Sequence, residues 1–357
     1  MDFGLSEEQR MLQETVRGFV QKECPVSRLR EIFDGDSEFD PAIWRGLVEM
    51  GIAGLMVPES YGGAGMELLE LALVAEVLGA GAVPTPFFGH SLATLALVLG
   101  GSDSQKKKWL PALASGERAA TIAIGEGDGC WEPGALAAEL KDGALNGAKS
   151  YVTSAASADV LVVWLAAGRL ALVERGAAGI DVAAVDSADR TQRSAAVRFK
   201  NTPAELLAVP AGERVRDAGL VLLAADAVGG AWQLVEMSTE YAKTREQFGR
   251  KIAEFQAVKH QLADMAIEVE PARAVVWYAA HAFDHIPDES PYAAAMAKAH
   301  LGDRYVQVAR DSVEIFGGIG LTWECDVHMW LKRALFDRAY LGLPRVHRER
   351  CARLSGW

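Results

Sequence analysis

Arg245 offers a planar fork of donors that suits phosphate oxygens, and Gln247 and Phe248 just beyond it supply an amide and an aromatic edge. All three stand in Tyr241–Gln256, which reads as the end of one helix, a bend and the start of another. Leu220–Tyr241 is largely apolar with no proline, and Gly249 stands where a helix commonly stops in a left-handed residue. Phe255, Val258, Leu262, Met265, Val269, Ala272 and Val276 then recur at steps of three and four, one buried face of a long helix. An arginine at a helix end also serves as a solvated charge or a dipole partner, so Arg245 by itself assigns nothing.

The order Thr-Arg-Glu-Gln-Phe-Gly over 244–249, with Phe255-Gln256 beyond it, resembles the flavin-adenine segment of the acyl-CoA dehydrogenase family. The resemblance covers nearly the whole chain. Pro58–Gly65 resembles that family's N-terminal loop, Gly101–Pro111 with Ala114–Glu117 its helix into the middle domain, and Ile315–Thr322 its second adenine-side loop. It implies FAD as cofactor, an acyl-CoA thioester as substrate and electron-transfer flavoprotein as electron acceptor. Arg245, Gln247, Phe248, Gln256, Glu314, Gly317 and Gly318 are the implied adenine-side residues, and in the family these reach a flavin held mainly by the neighbouring subunit. Tyr151–Ser154 is similar to the family's Trp-Ile-Thr segment, which makes Thr153 a candidate for the flavin ring. Glu314 stands where a glutamine is common.

The implied reaction takes a proton from the carbon α to the thioester and a hydride from the β carbon, so it needs a carboxylate base. The family has two places for that glutamate, and here they hold Leu341, in Ala339-Tyr340-Leu341-Gly342, and Gly219, with Leu220 where an arginine is usual. Neither accepts a proton. Asp226, seven residues on from Gly219 on the same helix face and inside an apolar run, is either a substitute base or a satisfied polar group of a helix bundle. Asp217 is an outside candidate or a cap. Glu236 and Glu240 lie too far along the helix, roughly 25 and 32 Å from Gly219 at about 1.5 Å per residue. The ring-side loop is altered too, reading Gly-Glu-Gly-Asp-Gly-Cys-Trp-Glu over 125–132, and the two acidic residues in its middle, Glu126 and Asp128, argue against an anion there.

Length and composition admit these domains. The 357 residues suffice for two or three domains and a large core, and 36 Lys+Arg against 48 Asp+Glu give a formal charge of −12. That balance excludes a general nucleic-acid surface. The four cysteines lack metal or redox spacing, no metal site is expected, and the reading is a reduced cytoplasmic protein with no membrane span. Ser6 with Gln9 and Asp40-Pro41 mark helix starts. Short β-rich runs fill 119–209, Asn146-Gly147 gives a hairpin signal, and four long helical segments follow near 215–246, 253–284, 290–315 and 325–354. The expected fold is α+β: an all-helical domain over 1–116, a small antiparallel β-barrel-like domain over 117–210, and a four-helix bundle over 211–357.

The base-side losses beside an intact adenine side point to one subunit of a heteromeric acyl-CoA dehydrogenase, an α2β2 assembly whose catalytic partner carries the glutamate. Such arrangements resemble actinobacterial enzymes acting on steroid side chains as CoA thioesters. Two other readings are a self-sufficient homotetramer using Asp226 and a flavin-free scaffold that keeps only the fold.

Overall fold

Ser6 opens the first helix as its spacing predicts: its hydroxyl accepts from Gln9 N at 3.1 Å, and the Gln9 amide oxygen accepts from Ser6 N at 2.9 Å. A computed structural model describes residues 4–357; residues 1–3, the start of the first predicted domain, lie outside the described residues. Six helices precede the first strand: α1 (Glu7–Glu23), α2 (Val26–Asp34), α3 (Pro41–Glu49), α4 (Leu68–Ala80), α5 (Phe87–Gly100) and α6 (Asp103–Ala114). Asp40 caps α3 by accepting from Ala42 N at 2.8 Å, with Pro41 in the first turn.

Eight strands follow: β1 (Ala120–Ala123), β2 (Glu139–Lys141), β3 (Ala144–Thr153), β4 (Val160–Trp164), β5 (Leu170–Glu174), β6 (Ile180–Val185), β7 (Ser194–Pro203) and β8 (Glu205–Leu206). They form two four-stranded sheets, ordered β1-β4-β5-β8 and β2-β3-β7-β6. Pairing is antiparallel except between β1 and β4, which are parallel. The expectation of a wholly antiparallel domain therefore needs this correction, and the long excursion through β2 and β3 supplies the crossover that parallel strands require. The hairpin turn is also not at Asn146-Gly147. It lies between β2 and β3 at Asp142-Gly143, whose φ values of 50° and 77° suit a two-residue turn. Asn146-Gly147 instead sits at an irregularity within β3, where Asn146 Oδ1 accepts from Asn201 N at 2.9 Å. Leu145, Val152, Leu161, Val163, Val197 and Phe199 meet between the sheets as one core.

The remainder is helical: α7 (Gly212–Thr244), a small hairpin of β9 (Glu246–Gln247) and β10 (Arg250–Lys251), then α8 (Gln256–Val269), α9 (Ala272–His285), α10 (Ser290–Phe316), α11 (Val327–Ala339) and α12 (Pro344–Leu354). The four expected long segments are present, two of them each as a pair of helices. Pro271, which has no N–H to continue the ladder, separates α8 from α9, and Tyr340–Leu343 separates α11 from α12. Of the described helices, α7 is the one long and apolar enough to cross a membrane, but 83% of its most apolar window is buried, as in a core helix. Two compact units are present. A helical unit comprises the described residues up to Glu31, Ala72–Val83 and Leu220–Trp357; a second comprises Ile32–Leu71 and Pro84–Gly219.

In the second unit α5 is held by His90. Ala120 N donates to Nδ1 at 3.2 Å, so the proton is on Nε2, which donates to Ala53 O at 3.2 Å. Burial lowers this ring from 6.5 to about 4. Both folded and unfolded chains are neutral there above pH 6.5. Below it the unfolded chain takes up the proton first, so the stability contributed by the neutral ring is complete above 6.5 and is lost on acidification towards 4, roughly 3 kcal/mol in all. Urea unfolding at pH 7 and 4.5 should show that His90→Asn removes part of the wild-type acid sensitivity; equal pH slopes in the two proteins would contradict this.

Candidate functional site

The helical unit carries the bend and the second loop, and it brings them together. Helix α7 ends at Thr244; Arg245 N still donates to Tyr241 O at 2.8 Å, while Ile252 N donates to Arg245 O at 2.9 Å and closes the hairpin. Phe248 and Gly249 form its tip with φ of 54° and 77°, so Gly249 turns a hairpin and does not stop a helix. Tyr241 stacks on Phe316 at 4.2 Å between centroids and its hydroxyl donates to Phe316 O at 3.4 Å, fastening the end of α7 to the end of α10. There Gly317, with φ 68° and ψ −145°, takes a conformation open essentially to glycine alone.

The side chains at this junction point outward. Phe248 is 92% exposed, although its ring meets Phe255 edge-on at 6.1 Å. Arg250 stacks on Phe255 at 4.0 Å, whereas the exposed Arg245 guanidinium makes no hydrogen bond or ion pair within the chain. Gln247 and Gln256 are exposed, and a Cβ on Gly317 or Gly318 would meet nothing. Glu314 accepts from Gln261 Nε2 at 3.3 Å. An unpaired cation, a bare ring and open glycine backbone fit an anionic, planar group from outside the chain, as the adenine side of FAD is.

In the second unit Thr153 ends β3 at 2% exposure, and its Oγ1 has no hydrogen-bond partner. Its carbonyl accepts from Thr121 Oγ1 at 2.6 Å, and a Cβ on Gly89 would come within 3.2 Å of the orphan hydroxyl. The bare Gly89 lets α5 pack against Thr121 and Thr153, and the buried Thr153 hydroxyl is left without a partner within the described residues. The loop over 125–132 corrects one expectation. Glu126 faces inward, its carboxylate accepting from Ala137 N at 2.6 Å, Ala138 N at 3.0 Å and Lys149 Nζ at 2.7 Å. It is therefore neutralised and does not argue against an anion; Asp128 and Glu132 are the exposed acids. Burial alone would push the Glu126 carboxyl up, but Lys149 and the two amides hold it below its ordinary value. Lys149 is 0% exposed and burial lowers it, with Glu126 opposing. Sequence reasoning missed Lys149, since nothing local marks a strand lysine as buried.

At the two base positions there is no acid. Gly219 is buried in α7 beside fully buried Leu220. Leu341 is 3% exposed in a left-handed conformation, φ 58°, with its carbonyl accepting from His347 Nε2 at 3.0 Å. Asp226, the proposed substitute, is occupied: Arg333 Nε and Nη2 reach its two oxygens at 3.0 and 2.5 Å. Asp337 is close by, with Oδ1 3.7 Å from Arg333 Nε, and buried Lys298 donates to the Asp337 carbonyl. Burial, reinforced by the charge of Asp226, raises Asp337 well above the usual carboxylate range, and burial lowers Lys298 to about 7. Asp217, in the second unit, is buried with Oδ1 3.6 Å from Arg216 Nε.

Comparison with known proteins agrees with this geometry. Residues 6–117 match the acyl-CoA dehydrogenase N-terminal domain and 218–355 the acyl-CoA dehydrogenase C-terminal domain. The chain is 32% identical over 347 residues to acyl-CoA dehydrogenase IpdE2 of Mycolicibacterium smegmatis, covering 97% of this chain and 98% of that one. Among solved structures it is similar to a steroid ACAD variant, Tcur3481-Tcur3483, with TM-score 0.91 and 29% identity over 98% of both chains. It is also similar to the ChsE4-ChsE5 complex from Mycobacterium tuberculosis, with TM-score 0.90 and 27% identity over 100% of this chain and 99% of that one. The helical, β and helical arrangement is thus that of acyl-CoA dehydrogenases, and the chain belongs to the acyl-CoA dehydrogenase family, whose cofactor is FAD.

Proposed function

We propose that this chain is the base-lacking subunit of a cytoplasmic heteromeric acyl-CoA dehydrogenase, and that it completes the adenine side of an FAD held mainly by a catalytic partner in an α2β2 assembly. One contrast carries the reading: Arg245, Phe248, Gly317 and Gly318 are intact and open to the outside, while Gly219 and Leu341 fill the base positions and Asp226 is engaged by Arg333. Two similar structures lend support, one being a ChsE4-ChsE5 complex and the other bearing the paired name Tcur3481-Tcur3483.

When bound, FAD accepts the hydride from the β carbon of the thioester. In this reading Arg245 neutralises phosphate charge, Phe248 packs against adenine, and Gln247, Gln256 and the Glu314 loop with Gly317 and Gly318 shape the nucleotide end. The glutamate that takes the α proton belongs to the partner, and electron-transfer flavoprotein takes the electrons. A bulky acyl-CoA, such as a steroid side-chain thioester, is the proposed substrate class, in keeping with the steroid ACAD among the similar structures. The test is turnover with an artificial electron acceptor: the purified chain alone should give none, and the chain co-purified with its partner should oxidise the thioester. Turnover by the chain alone would overturn the reading.

A further inference from the structure

Within the helical unit, residues of α1, α4, α7, α9 and α11 line a cleft of about 640 Å³. None of the flavin candidates and neither base position lines it. Its existence follows from the sequence of the helices that cross there. Bare Gly79 and Gly229 let α4 and α7 meet backbone to backbone, since a Cβ on Gly229 would collide with the Glu76 carbonyl and one on Gly79 with that of Asp226. Beside that crossing the half-buried Trp232 ring forms the aromatic wall, with Val77 and Trp330 buried behind it. Both indoles are fixed: Trp330 Nε1 donates to Ala80 O at 3.0 Å and Trp232 Nε1 to Glu236 Oε1 at 3.1 Å.

The charges around the cleft are mostly spent on one another. Arg273 donates to Glu76 and Glu270, both at 2.8 Å, and its guanidinium lies 5.6 Å from the Trp232 ring. Glu236 at the lining is the acceptor of the Trp232 indole. Arg17 differs: among the described residues it makes no hydrogen bond or ion pair, its charge acts on Glu76 only through space, and its fork of donors remains available. A volume of this size, an aromatic wall and a guanidinium with free hydrogen-bond donors are the features of a site for a drug-sized ligand.

We propose that this cleft is a second binding site, taking a flat, largely apolar anion such as an aromatic carboxylate, with its body against Trp232 and its acidic group on Arg17. The probe is 8-anilinonaphthalene-1-sulfonate, titrated into the full chain and followed by energy transfer from tryptophan. One equivalent should bind; Arg17→Glu should weaken it at least roughly tenfold, and Gln233→Trp, which fills the cleft, should abolish it. Thermal midpoints of both variants establish that they are folded, and Arg17, being exposed, tolerates the change. Dye whose affinity and stoichiometry are the same in wild type and both folded variants is bound elsewhere, and that result, or no binding at all, overturns the proposal.

Discussion

Arg333→Leu should lower the unfolding free energy by about 3–5 kcal/mol, because it leaves the Asp226 carboxylate buried without its bidentate cation. Leucine is apolar and smaller, so the loss is electrostatic before it is steric. The side chains of Arg333, Asp226 and Asp337 are 3%, 11% and 2% exposed. In urea the midpoint should fall at an unchanged slope, the signature of lost stability in an unchanged native state. A fall worth less than about 1 kcal/mol would mean that the pair contributes no more than an exposed one. Asp226→Asn separates this structural role from a chemical one. Turnover of the complex should stay within about twofold, whereas a loss of a hundredfold or more in a well-folded variant would make Asp226 the base.

Arg245→Ala should weaken flavin retention by the complex roughly 10- to 100-fold, the usual cost of one charge-assisted hydrogen bond to phosphate. The unfolding midpoint of the isolated chain should not move, because the guanidinium has no partner in the chain to lose. That combination distinguishes a contact made outward from one that holds the fold. Flavin content equal to wild type after extensive dialysis would contradict the outward contact, and an equal loss of chain stability would make Arg245 a structural residue.

What could be read from the sequence was local. Ser6, Asp40 and Pro41 specify helix starts within one turn, so their consequences needed no knowledge of the rest of the chain. Pro271 was in plain view, yet the apolar steps on either side of it continue in register and hid the break. The hairpin turns at Asp142-Gly143 and not at the Asn146-Gly147 read from the sequence, because strand pairing and not the dipeptide decides which turn forms. The pairs that determine the chemistry are remote: Glu126 finds Lys149 across 23 positions and Asp226 finds Arg333 across 107. No periodicity within either segment could have announced them. The chain reversals at Phe248-Gly249 and Gly317 were legible because short turns set them, although the bend itself proved to be a hairpin.

The most direct test of the in-trans reading is the flavin-to-protein ratio, from visible absorbance, of this chain purified alone and co-expressed with its dehydrogenase partner. The account predicts a colourless chain alone and about one flavin per pair of chains in the complex. Near-stoichiometric flavin on the chain alone would contradict it.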